Sequence, residues 1–109
     1  MSSIEYGTQA TSAGAAPSTA GDVGAGANRA YSWATNQRYV KVFNSPFSGA
    51  NLYVRFNDTS TAASTTNWDA ILEPGDQVSM GPEIMITQVD VYSDAAVTKG
   101  TDFSIRGWK

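Results

Sequence analysis

The sequence predicts an all-β protein, a small antiparallel β-sandwich or jelly-roll-like domain preceded by an extended N-terminal arm. Three observations lead there. Short segments rich in aromatic and β-branched residues follow one another closely from Gln37 to Lys109. Turn residues punctuate them, at Asn44-Ser45-Pro46, at Glu73-Pro74-Gly75-Asp76 and at Gly81-Pro82. Residues 7–30, by contrast, are dominated by Ala, Gly, Ser and Thr, with glycines repeated too often for a helix. The division expected is an arm over residues 1–35 and a β-sandwich domain over residues 36–109.

The arm is too poor in bulky side chains to offset its ordering entropy with a core of its own. It is expected to be either a flexible linker or an extended strap lying on a neighbour, since small side chains permit close backbone approach. Ile4 and Tyr6 are its distal bulky residues, followed by Val23, Tyr31 and Trp33. Ile4, Tyr6, Tyr31 and Trp33 are therefore the arm's candidate contact anchors.

The run 37–43 is the first clear strand. The run 51–57 alternates cleanly, with Leu52, Val54 and Phe56 on one face and Tyr53 and Arg55 on the other. Residues 59–67 form a Ser/Thr/Ala-rich loop, and 68–72 a short segment entering the Pro74-Gly75 turn. Proline then glycine fits a type II turn, in which Gly75 supplies the positive φ. The run 77–80 is another short strand. The run 83–92 is the longest, with Met85, Thr87, Val89 and Val91 on one face and Ile84 and Ile86 opposite. Apolar residues on both faces imply a central strand or a bulge near Thr87-Gln88. After a loop over 93–100, the run 101–108 closes the chain. Phe103 and Ile105 share one face there; Asp102, Ser104, Arg106 and Trp108 share the other. An aromatic beside arginine on an outer face is a common contact composition, so Tyr53, Arg55, Arg106 and Trp108 are candidate interface residues of the β-domain.

Cysteine and histidine are both absent from the 109 residues. That excludes disulfides, Ser-His-Asp and Cys-His catalysis, and the commonest zinc ligands. Asp69, Glu73 and Asp76 cluster around a turn at a spacing that matches no calcium loop. Asp90, Asp94 and Asp102 could converge at one end of the sheet but are read as solvated loop acids, and Asn57-Asp58-Thr59 matches the glycosylation triplet but is read as a turn. Neither enzymatic activity nor a cofactor nor a metal is expected. The net charge is −3, and the seven basic residues are scattered, which argues against nucleic acid, although a sheet face could gather Arg38, Lys41, Arg55 and Arg106. The N-terminus lacks the basic and apolar regions of a signal peptide, and no apolar run approaches the roughly 18 residues of a membrane helix. Synthesis in the cytoplasm and no membrane partner are expected.

Four elements occur in order: residues 51–57, 71–76, 86–92 and 100–107. Together they resemble the small all-β virion proteins of tailed bacteriophages. In those, a Leu-x-Pro-Gly-acid turn, here Leu72 to Asp76, separates a paired-strand half from a final strand ending in glycine, here Gly107. The resemblance implies a capsid decoration (cement) protein on the outer head surface. It further implies the major capsid protein as partner and a homo-oligomer, with a trimer favoured. A tail, neck or fibre-base component is the alternative. A carbohydrate-binding module stacking sugars on Trp33, Trp68 or Trp108 is a third reading.

Overall fold

Alternation along the strands decides which side chains enter the core, and two sheets result. The structure, a computed structural model, describes residues 15–18, 21–57, 62–82 and 85–109. The strands are β1 (Ala27–Gln37), β2 (Tyr39–Asn44), β3 (Leu52–Phe56), β4 (Ala70–Leu72), β5 (Gln77–Met80), β6 (Ile86–Ser93) and β7 (Phe103–Trp108). A four-stranded sheet in the order β1-β6-β3-β4 packs on a three-stranded sheet in the order β5-β2-β7, with every neighbouring pair antiparallel. The protein is thus an all-β sandwich. Its core joins Val40 and Val42 of β2 and Phe103 and Ile105 of β7 to Leu52, Val54, Val89, Val91, Tyr31 and Trp33 of the larger sheet. Tyr31 meets Phe103 edge-on, with ring centroids 5.9 Å apart.

One buried polar side chain ties the sheets together. Asn44 ends β2 pointing inward, and its Nδ2 donates to the carbonyls of Ala50 at 2.8 Å and Leu72 at 2.9 Å. Leu72 belongs to β4, so this contact links the two sheets. The Asn44 backbone meanwhile holds the turn that follows β4, donating to Asp76 O and accepting from Gly75 N. Gly75 has φ 93° and Asp76 N donates to Glu73 O, the geometry expected of the Pro74-Gly75 turn.

The expected boundary at residue 35 falls inside β1, so residues 27–35 are part of the sheet. The segment just before β1 is docked as well. Ala15 exchanges two backbone hydrogen bonds with Gly107 on the outer edge of β7, at 2.8 and 2.9 Å. Three residues later Ser18 N donates to Ser32 O of β1 at 2.7 Å, and Pro17 between them is buried. This strap closes the seam where the free edges of the two sheets meet. Val23 then bridges to Val97, and Lys99 N donates to Asp22 Oδ1 at 3.0 Å. Ala and Gly suit this role because the attachment is made by backbone groups, which small side chains leave accessible.

Two strand expectations need correction. Gln37 does not open the first strand of the domain: it ends β1 opposite Ile86, and the chain passes through Arg38 into the other sheet, where Tyr39 opposes Trp108. In β6 the buried apolar residues are Ile86, Val89 and Val91, while Thr87 and the preceding Met85 are exposed, so the expected shared face of 85, 87, 89 and 91 breaks. The phase changes between Ile86 and Val89, near the bulge that the sequence offered as an alternative to a central strand, and β6 is central too, lying between β1 and β3. β1 contributes to the irregularity, with Ser32 opposing Gln88 and Gln37 opposing Ile86. Asn57, at φ 59°, covers the break by accepting from Thr87 N and donating to Met85 O.

Candidate functional site

The outer face of the three-stranded sheet follows from the inner one. With Val40, Val42 and Asn44 turned inward, β2 presents Tyr39, Lys41 and Phe43 outward. In β7 the buried positions Phe103, Ile105 and Gly107 leave Ser104, Arg106 and Trp108 outside; β5 adds Gln77 and Ser79. Register stacks these into three rows. Tyr39 lies opposite Trp108, Lys41 lies between Ser79 and Arg106, and Phe43 lies between Gln77 and Ser104. Successive rows are about 6.8 Å apart, two residues of antiparallel strand. A shallow groove of about 380 Å³ runs along this face, lined by Lys41, Phe43, Gln77, Ser104, Arg106 and Trp108.

The groove pairs aromatic rows with a cationic one. The three strands beneath it contain Lys41 and Arg106 and no aspartate or glutamate. Arg38 and Lys109 flank Trp108, and Arg38 N donates to Trp108 O at 2.6 Å. Four of the seven basic residues therefore gather on or beside this sheet.

The sequence-predicted site residues divide. Arg106 and Trp108 line the groove together. Tyr31 and Trp33, expected as contact anchors, are core residues, and Trp33 Nε1 donates to Ala15 O at 3.1 Å to hold the strap. Burial and the hydrogen bond from its hydroxyl to Gly21 O accompany a Tyr31 phenol pushed up to about 12, with desolvation the main cause. Tyr53 and Arg55 lie on the outer face of the other sheet. There Tyr53 packs edge-on against Tyr92 at 5.7 Å, and Arg55 Nη1 donates to Asn67 Oδ1. Asn67 belongs to a loop that folds over this face, with Ala63 N donating to Asp90 Oδ2 at 2.7 Å. Ile4 and Tyr6 lie outside the described residues.

The acids serve the backbone. Each described aspartate accepts a main-chain N–H: Asp22 from Lys99, Asp69 from Phe56, Asp76 from Glu73, Asp90 from Ala63, Asp94 from Asn51 and Asp102 from Thr98. Buried Asp90 also accepts from Asn28 Nδ2 at 3.0 Å. Among the described residues no group of three or more acids is placed to hold a metal.

Sequence reasoning missed Tyr39, Phe43 and Gln77 as groove residues, and named Lys41 only as a base that a sheet face could gather with Arg106. The signal was present in β2, where Tyr, Lys and Phe alternate with Val, Val and Asn. What it lacked was the partner strand: Lys41 becomes a neighbour of Arg106 only through the β2–β7 register. Comparison with protein-family models, with characterised proteins and with solved structures finds no match.

Proposed function

We propose that this chain is a structural protein of a tailed-bacteriophage virion, a head decoration protein that binds the major capsid protein and reinforces junctions between capsomers. The observation that carries the docking part of this reading is the aromatic-cationic groove on the β5-β2-β7 face, where Phe43, Arg106 and Trp108 are of residue types enriched at interfaces. The virion part rests on the skeleton of residues 51–107 described above. The mechanism is additive burial. A standard interface buries about 1,600 Å², and capsid expansion or rupture must break it at every occupied junction. Phe43, Arg106 and Trp108 are the anchors in this reading, with exposed Phe47 at the nearby loop as a further contact. The chain works as a homo-oligomer, a trimer in this reading, on the capsid surface after synthesis in the host cytoplasm, with no catalytic step and no cofactor.

Gold-conjugated antibody against the chain, applied to purified particles of the encoding phage, tests this. Dense labelling over the head is expected. Labelling confined to the tail or neck replaces decoration with a tail component, and particles that lack the chain overturn the virion reading.

A further inference from the structure

We propose that the groove receives an acidic, extended segment of a protein partner with the side-chain pattern apolar-x-acid-x-apolar. The inference deepens the docking reading above by naming the chemistry of what docks.

Geometry sets the pattern. The Tyr39–Trp108 row and the Phe43 row lie about 13.6 Å apart, four residues of extended chain, with Lys41 and Arg106 midway. An extended segment running along the strands projects residues i, i+2 and i+4 toward the sheet at the same interval. Its central carboxylate then falls over the cationic row and its outer apolar side chains fall on the aromatic rows.

Charge selects the sign. The chain is acidic overall, yet the three strands under the groove carry two bases and no acid. A carboxylate over this row meets the positive charge of Lys41 and Arg106, whereas a second cation there is repelled.

Two other occupants fit less well. A second copy meeting this face by two-fold symmetry sets Lys41 and Arg106 against their own equivalents, a like-charge contact that opposes association. A nucleic-acid strand continues as a polyanion past the Phe43 row. At that end Asn44 N bonds to Asp76 O at 2.9 Å and Ser45 N to Asp102 O at 2.8 Å, so the chain there carries acids. A single carboxylate at the centre of the groove stays clear of them.

Chemical-shift mapping on the full-length protein tests the proposal, using the capped peptide Leu-Ser-Glu-Ser-Leu, its Leu-Ser-Gln-Ser-Leu counterpart and an oligothymidylate. The acidic peptide is expected to shift Lys41, Phe43, Arg106 and Trp108, with an affinity that falls as salt rises. Joint Lys41→Glu and Arg106→Glu substitution is expected to weaken it at least about tenfold, the ratio carried by about 1.4 kcal/mol. Lys41→Gln alone serves as the milder variant if the double reversal disturbs the sheet, and its expected loss is severalfold. Equal shifts with the glutamine peptide, shifts of the acidic peptide elsewhere or nowhere, or tighter occupation of the groove by the oligothymidylate each overturn the proposal. Particle labelling tests the virion reading separately, so either can fail while the other stands.

Discussion

Replacing Asn44 with alanine removes the side chain that joins β2 to the end of β4. The buried carbonyls of Ala50 and Leu72 each lose the Nδ2 donor. An unsatisfied buried group costs about 1–3 kcal/mol, but two features reduce the sum. Ser48 Oγ already donates to Ala50 O at 3.4 Å, so that carbonyl keeps one donor. Asn44 Oδ1 is buried with no hydrogen-bond partner, so its removal relieves a penalty already present. The net loss expected is about 2–3 kcal/mol, or a fall in Tm of ~10–20 °C for a domain of this size. Urea unfolding followed by tryptophan fluorescence measures it. Asn44→Asp sharpens the test, because it keeps the volume and turns the donor into a carboxylate facing two carbonyls. Burial and those carbonyls raise that carboxyl's pKa in the folded state, so this variant's stability is retained at low pH and lost as pH rises. It should be weaker than Asn44→Ala at neutral pH and recover in acid. A loss below about 1 kcal/mol for Asn44→Ala, or an Asn44→Asp variant as stable as wild type at neutral pH, refutes the inter-sheet clamp.

Three further outcomes follow from the same geometry. Gly81 has φ 128°, and an added Cβ would lie 1.9 Å from Arg38 O; Gly81→Ala should lose about 3 kcal/mol or more, read as a collapsed Tm or absent soluble protein. Alkaline titration should show one phenol ionising near 12 that vanishes in Tyr31→Phe. Because burial favours the neutral phenol, its contribution is intact below about 10 and is lost as pH rises toward 12, a drop of about 1–2 kcal/mol after discounting for screening. Phe47 is 90% exposed, so Phe47→Ser should change stability by no more than about 0.5 kcal/mol while lowering occupancy on capsids; unchanged occupancy removes Phe47 from the docking surface.

How much of this was legible in the sequence depended on how local each signal was. Alternation fixed the inner and outer faces of β3, and the Pro74-Gly75 turn formed as its dipeptide demands. The phase change in β6 also showed, because Ile86 and Val89 cannot share a face in a regular strand. The arm was harder to read. Composition placed Ala15 to Ser18 in an arm with no core of its own, but their attachment uses backbone groups that composition does not report. Tyr31 and Trp33 looked like anchors because they follow a long stretch without bulky residues. Their burial comes from β1 pairing with β6, a contact nearly 60 residues away in sequence. Arg106 and Trp108 were visible as a pair from alternation within β7, and a sheet face gathering Lys41 with Arg106 was conceivable, whereas Phe43 joined them only through inter-strand register.

That register also bears on how the groove binds. Affinity depends on how little ordering remains to be done when the partner arrives, and β7, which carries Arg106 and Trp108, is paired along one edge with β2 and pinned on the other at Gly107 by the strap. Gly107 sits between Val40 of β2 and Ala15 of the strap, and Trp108 O accepts from Arg38 N at the corner where the chain changes sheets. The strap in turn hangs on Trp33, whose indole donates to Ala15 O. Trp33→Phe keeps most of the core volume and removes that one donor, so it should lower stability by only about 0.5–1.5 kcal/mol. Its larger effect should be local. The amides of Ala15 and Gly107 bond to each other's carbonyls, and they should exchange with solvent faster than the remaining β2–β7 ladder once the strap loosens. If Trp108 owes its fixed position to this strap, the same variant also weakens capture of an acidic segment at the far face of the strand. Faster exchange at Ala15 and Gly107 with undiminished binding would show that β2 alone positions Trp108. Unchanged exchange would show that the strap is held by the Ser18–Ser32 contact and not by Trp33.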